Sequence, residues 1–199
     1  MSDKSEAFPL RRRAVVAAIL ADRGDALVVA GLGSAAWDIT AAGDHPLNFP
    51  MWGAMGGSVA FALGLALAQP DRRTLVLSGD GDLLMGLGSF ATVAVQRPAN
   101  LAVIALDNER YGETGMQETA TAGGVDLTGI ARACGFALAT TVRDDAGLKT
   151  ALPQIHRAPG PVFVTIKVRA EKLPLALPPK DGTVLKNRFR RALLGEQAG

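Results

Sequence analysis

The chain has 199 residues, long enough to bury a sizeable core in one domain, and a formal net charge of only +2. Its basic excess is local, in Arg11-Arg12-Arg13 and Lys186 to Arg191. Without aromatic interleaving or a nucleic-acid motif these clusters exclude a DNA or RNA footprint and read as solvated faces or a contact with an acidic partner subunit. Cys134 is the single cysteine, which excludes an intrachain disulfide and a thiolate metal cluster, and its apolar helix face marks it as a core thiol. No export signal and no membrane-length apolar run is present, so the expected compartment is the cytoplasm and no membrane contact is expected.

In chain order, Met1 to Pro9 is expected to be a loose arm. Arg11 to Arg23 predicts a helix with an apolar stripe of Val15, Val16, Ile19 and Leu20, stopped by Gly24-Asp25. Leu27 to Ala30 predicts the first strand, running into Gly31-Leu32-Gly33-Ser34, and a helix then extends through Ile39 to near Gly43. His45 to Pro50 reads as a loop entering Met51 to Gly57. Ser58 to Ala68 is an apolar helix needing cover on nearly all sides.

Two short runs rich in Val, Ile and Leu follow, Leu75-Val76-Leu77 and Leu101 to Leu106. Each ends in small or acidic residues, Ser78-Gly79-Asp80-Gly81-Asp82 and Asp107-Asn108, as buried parallel strands do. Asp82 to Val95 forms the crossover between them, with Gly86 and Gly88 marking a break or a close approach. Glu109 to Gln117 reads as a loop and Thr119 to Gly124 as a mobile segment. Asp126 is expected to cap a helix reaching about Cys134, followed by a strand from Phe136 to Thr140 and a helix from Asp144 to a surface His156. Pro159-Gly160-Pro161 turns the chain into a late strand, Val162 to Val168.

From Ala170 the composition shifts to a proline-rich stretch and then a basic helix, Gly182 to Leu194. The expected division is a main domain over 1–169 and a C-terminal arm over 170–199, packed on a neighbouring subunit, bound to the chain's own surface or partly disordered. The fold class is α/β, an open parallel sheet in three layers with helices on both faces.

Asp80 and Asn108 stand at consecutive strand ends, so they are expected side by side at one sheet edge. A carboxylate and an amide oxygen together suit a hard, oxygen-preferring cation. Gly79 and Gly81 allow the backbone to turn sharply and approach a bound group. Free amides there, with the N-terminus of the helix after Asp82, can face phosphate oxygens. Gly31 to Ser34 is either a second cradle or an ordinary turn. Met55 and Tyr111 each read as core residues or as site residues. Glu113 is the one acid of its loop placed to reach the site, with a solvent-facing position as the alternative.

Gly79-Asp80-Gly81 followed by Asp107-Asn108 and Tyr111-Gly112, with Trp52-Gly53-Ala54-Met55-Gly56 upstream, resembles the signature of thiamin diphosphate enzymes. The surrounding residues look most like the small beta subunits of sulfopyruvate and phosphonopyruvate decarboxylases. The resemblance covers about residues 26–168. It implies the thiamin diphosphate-binding fold and a magnesium ion held by Asp80, Asn108 and the backbone carbonyl of Arg110. It assigns cofactor contacts to Gly33, Ser34, Gly79, Asp80, Gly81, Asp82, Asn108, Arg110, Tyr111 and Gly112. Met55 would support the bent cofactor, Gly53 would offer a carbonyl to the aminopyrimidine, and Met55 and Glu113 are the catalytic candidates. The family usually carries a small polar residue where this chain has Asp82, so the Asp82 side chain is expected to point away or cap the helix while its amide serves the cofactor.

The implied activity is non-oxidative decarboxylation of a small 2-oxo acid with an anionic end, giving an aldehyde, with Arg110 as a candidate cation for that end. The glutamate that activates thiamin in this family lies on a pyrimidine-binding domain, expected here on a separate alpha subunit, with further oligomerisation. Two alternatives stand beside this reading. One is a carboligase of the acetolactate synthase kind, normally a single long chain. The other is a non-catalytic cofactor-binding or assembly subunit. A Rossmann nucleotide binder fits less well, since Gly31 to Ala36 offers only part of the required glycine pattern.

Overall fold

The computed structural model describes residues 7–195. Among these residues eight strands occur: β1 (Leu27–Ala30), β2 (Asn48–Pro50), β3 (Thr74–Gly79), β4 (Leu101–Asp107), β5 (Arg110–Tyr111), β6 (Gln117–Glu118), β7 (Leu138–Val142) and β8 (Val162–Lys167). The helices are α1 (Arg12–Ala21), α2 (Ser34–Ala41), α3 (Ser58–Ala68), α4 (Asp80–Met85), α5 (Gly88–Gln96), α6 (Leu127–Cys134), α7 (Asp145–Arg157) and α8 (Gly182–Leu194). Six strands form one parallel sheet in the order β2-β1-β3-β4-β8-β7, and β5 and β6 form a separate antiparallel ribbon.

Strand side chains alternate between two cores. Val28, Ala30, Leu75, Leu77, Ile104, Leu106 and Val164 face α1, α2 and α7. Val29, Val76, Val103, Ala105 and Phe163 face α3, α4, α5 and α6. Burial on both faces explains why the strands are unbroken apolar runs. On the second face Phe163 meets Phe90 and Phe136 with ring centroids 5.1 and 5.8 Å apart. From β1 the sheet grows in opposite directions, to β2 on one side and β3 on the other. That reversal opens a crevice beyond the carboxyl ends of β1 and β3, where open α/β sheets take ligands.

Several expectations are corrected. Residues 48–50 of the expected loop form the edge strand β2, in register with β1 through Val28↔Asn48. Pro50 is tolerated there because an edge position does not require every N–H. The crossover helix breaks at Gly86, where an added Cβ would lie well under 3.0 Å from the Gly56 backbone oxygen. Two chain segments therefore pass too closely for any side chain. Within the segment expected to be mobile, Thr119 and Thr121 are buried while Gly123 and Gly124 are exposed. Asp126 occupies an N-cap position without a side-chain capping bond, whereas Asp144 caps α7 by accepting from the Gly147 amide at 2.8 Å. The seventh strand starts at Leu138, and Phe136 belongs to the core. His156 is half buried instead of a surface residue.

Residues 1–6 of the expected N-terminal arm lie outside the described residues. Beyond them, the Phe8 and Leu10 carbonyls accept from the Arg169 side chain and amide at 3.0 and 2.8 Å. At the other end, α8 docks on the chain's own β2 edge. Phe189 packs edge-on against Phe49 at 5.4 Å, and Arg188 pairs with Asp44. A helix over an exposed strand edge removes a template for unwanted strand pairing. Residues 196–199 of the expected arm lie outside the described residues. Among the described residues no helix is long and apolar enough to cross a membrane.

Candidate active site

A cavity of about 340 Å³ opens at the carboxyl edge of the sheet. Its lining includes Ser34, Met55, Gly79, Asp80, Gly81, Asp82, Asn108, Arg110, Tyr111, Gly112 and Glu113. Parallel pairing of β3 with β4 sets this convergence: Gly79 lies opposite Leu106, which puts Asp80 level with Asp107 and Asn108 one residue further on at the same sheet edge. Gly33 and Gly53 are not on the lining. Gly33 precedes α2 with φ +76°, a left-handed conformation natural to glycine, and a Cβ there would meet Glu113 Cγ at 2.8 Å. Gly53 is exposed.

The β3–β4 end of the cavity is rich in acids. Asp80 is 1% exposed, and its Oδ2 accepts from the Thr119 and Thr121 hydroxyls, the latter at 3.1 Å. Thr121 Oγ1 also lies 2.9 Å from Asp107 Oδ1. Each hydroxyl has one proton, so Thr119 serves Asp80 while Thr121 is shared between the two carboxylates. Lys167 stands behind them, 2.6 Å from Asp107 and 2.9 Å from Glu109. Burial first, and then the neighbouring Asp107, push the Asp80 carboxyl up to about 6. For Lys167 burial acts downward, but hydrogen bonds and charge from Asp107 and Glu109 outweigh it and raise the ammonium above its ordinary value.

Glu109 follows Asn108 with φ +61°, a sparsely populated conformation for a side chain of this size. Its amide donates to Asp107 Oδ1 at 3.1 Å, and Lys167 holds its carboxylate. This turn lets the Asn108 side-chain oxygen accept from the Arg110 amide at 3.0 Å. The residues after Asn108 are the β5–β6 ribbon, a correction to the open loop expected there.

Other predicted residues take more specific places. The Asp82 carboxylate is consumed inside the protein, accepting from the Gly56 amide, Ser58 Oγ at 3.1 Å and Ser78 Oγ. Its side chain does not cap a helix; it ties the Met55 loop to β3. The helix also begins at Asp80, two residues earlier than expected. Gly81 is required by Tyr111, because a Cβ there would run into the phenol ring. The Arg110 guanidinium donates to the Glu109 carbonyl at 2.8 Å and pairs with Glu118 at 3.3 Å, so its charge is engaged within the ribbon. Glu113 sits at the rim, accepting from Trp37 Nε1 at 3.1 Å and Ser34 Oγ at 3.4 Å.

Arg12, Thr119, Thr121 and Lys167 were absent from the sequence-derived site. Lys167 left a signal: a lone cation ending the apolar run Val162 to Ile166 at the ligand-bearing edge of a parallel strand. Two threonines one residue apart left none.

The donor set fits a hard cation with a diphosphate. Among the described residues no group of three His, Cys, Asp or Glu side chains can hold a metal by itself. Asp80 keeps Oδ1 beyond the threonine contacts, Asn108 retains acceptor capacity on its amide oxygen, and both line the cavity. Such a partial set suits an ion that completes its shell with phosphate oxygens and water.

Comparison with known proteins agrees. The description "Thiamine pyrophosphate enzyme, C-terminal TPP binding domain" matches residues 32–166. A sulfopyruvate decarboxylase subunit beta from Methanothermobacter thermautotrophicus is 36% identical over 171 residues, covering 86% of this chain and 89% of that one. A phosphonopyruvate decarboxylase from Streptomyces viridochromogenes is 36% identical over 199 residues; 98% of this chain aligns, but this spans only 49% of that protein. The benzoylformate decarboxylase structure from Polynucleobacter necessarius superposes with a TM-score of 0.71 at 21% identity, over 88% of this chain and 36% of that one, which shows the shared fold. With the glycine-flanked Asp80, Asn108 and the cavity between them on one sheet edge, the chain belongs to the thiamine pyrophosphate enzymes and carries their C-terminal, cofactor-binding domain.

Proposed function

We propose that this chain is the diphosphate-binding subunit of a thiamin diphosphate-dependent decarboxylase acting on a small 2-oxo acid with an anionic end. The observation that carries the reading is the pairing of Asp80 and Asn108 in one cavity, with Asp80 Oδ2 held by two threonines so that Oδ1 is left for an ion. Asp80, Asn108 and the Arg110 carbonyl would hold magnesium, and magnesium with Gly33, Ser34 and the Gly79–Asp82 backbone would hold the diphosphate. Bound thiamin diphosphate supplies the carbon nucleophile and the electron sink that decarboxylation of a 2-oxo acid needs.

The chain's own side chains position and shield. Met55, which lines the cavity, would support the rings, and Tyr111, packed on Gly81, would border the same space. Glu113 stands at the rim, held by Trp37 and Ser34, where it can face the substrate end. The activating glutamate is assigned to a partner alpha subunit, a reading supported by relatives of similar length named as beta subunits. A cytoplasmic location accords with the single cysteine, Cys134, which is free.

Calorimetry with thiamin diphosphate and magnesium, together and apart, tests the cofactor. Turnover tests the partner: the purified chain alone is expected to be nearly inactive, and the reconstituted complex to release aldehyde from sulfopyruvate or phosphonopyruvate faster than from pyruvate. Full turnover by the isolated chain would overturn the split site. Ligation products in place of aldehyde would overturn the decarboxylase assignment.

A further inference from the structure

We propose that Arg12 is a fixed cation of the cofactor site that takes the terminal phosphate of the bound diphosphate; this rests on the thiamin diphosphate reading above. The three consecutive arginines do not form one solvated face. Arg11 is 59% exposed at its side chain and pairs with Glu171, and Arg13 is 30% exposed. Arg12 is only 5% exposed as a residue and lines the cavity. Helix α1 runs back along the sheet against the direction of β1, so its first residue stands at the carboxyl edge where the ligand site opens.

The guanidinium is held from behind. Arg12 Nε donates to Asp38 Oδ2, while Arg13 Nε donates to Asp38 Oδ1 at 2.9 Å. Asp38 is 0% exposed and lies four residues after Ser34, on the same side of α2. Two guanidiniums share one carboxylate, which leaves one positive charge in excess. The Arg12 contact runs through Nε, and its two terminal nitrogens have no hydrogen-bond partner among the described residues. A guanidinium on a cavity wall that meets its carboxylate through Nε can offer its terminal donors to an anion in the cavity.

The position selects the anion. Arg12 shares its wall with Ser34 and Ala35, which open α2. The first amides bonded back to the Gly33 carbonyl are those of Ala36 and Trp37, and the Ser34 and Ala35 amides before them lie outside the helix's own bonding. The same cavity is lined by Asp80 and Asn108, which suit a cation. A bound diphosphate would meet the metal held by Asp80 and Asn108 and the planar, preorganised fork of Arg12. A substrate carboxylate or sulfonate belongs nearer the rim, where Glu113 stands.

The test uses the chain assembled with its partner. Binding of thiamin diphosphate and of inorganic pyrophosphate, each with magnesium, is measured by calorimetry for wild type, Arg12→Lys and the charge-balanced double variant Arg12→Met/Asp38→Asn. The double variant is expected to lose roughly 10- to 100-fold in affinity for both ligands in the same proportion, as loss of a charge-assisted hydrogen bond implies, with Arg12→Lys losing less. KM for the 2-oxo acid at saturating cofactor should stay constant. Unchanged affinity for both ligands, or a rise confined to KM, overturns the proposal; the second result would give Arg12 to the substrate. If the double variant does not fold, the pyrophosphate affinity of Arg12→Lys decides alone. A wild-type complex that binds neither ligand overturns the cofactor reading itself and this inference with it.

Discussion

Asp80→Asn in metal-free protein is expected to stabilise the fold while abolishing its response to magnesium. Asp80 is 1% exposed, and burial together with Asp107 raises its carboxyl from 3.8 to about 6. The folded state thus holds this proton more tightly than the unfolded chain does. Its contribution to stability is fully present below the unfolded value and is lost as pH rises through about 6. A rise from 3.8 to about 6 corresponds to about 3 kcal/mol, which is what ionised Asp80 costs the metal-free fold at about pH 8. Asparagine keeps an acceptor oxygen for Thr119 and carries no charge. At about pH 8 in chelator the variant should therefore melt roughly 5–10 °C above wild type, with the difference vanishing near pH 4. Added magnesium should raise the wild-type melting temperature and leave that of the variant unchanged. The assay is thermal unfolding followed by circular dichroism across that pH range. A flat wild-type profile between about pH 5 and 8, with a variant no more stable than wild type at the upper end, would refute the reasoning.

Lys167→Met withdraws the cation shared by Asp107 and Glu109, and should cost about 3–5 kcal/mol in denaturant unfolding; a loss below about 1 kcal/mol would show that the three groups are not coupled. Gly86→Ala forces a Cβ into the Gly56 backbone, so a destabilisation of about 1–3 kcal/mol and weaker cofactor binding through the Met55 loop are expected, and wild-type values of both would contradict the close crossing. Phe189→Ala should cost about 3 kcal/mol and speed hydrogen exchange across α8 and β2 while leaving β4 protected, whereas unchanged exchange in α8 would mean the helix does not depend on that contact.

Much of the site is legible in the amino-acid sequence because its signals are local. A run of apolar residues ending in Gly79-Asp80-Gly81 is a buried strand meeting a tight turn, and the spacing to Asn108 is one crossover. Asp82 shows where such reading stops. Its departure from the family's small polar residue is visible in the sequence, but not the three donors that absorb its carboxylate, two of which lie 26 and 24 residues away. Arg12 is hidden for a related reason: three adjacent arginines look alike in sequence, and helix geometry sends only the middle one inward.

What the amino-acid sequence determined by itself is the order of the five strands β1, β3, β4, β7 and β8 with the helical segments between them, the parallel α/β class and the pair of oxygen donors at one sheet edge. These follow from periodicity and backbone chemistry within a few tens of residues. Only the tertiary structure decided which charges are buried and against what. Thr119 reaches Asp80 across 39 residues, Arg12 reaches Asp38 across 26, and Lys167 reaches Glu109 across 58. A charge's energy depends on the dielectric and the partners around it, and those are supplied by chain segments that no local pattern brings together.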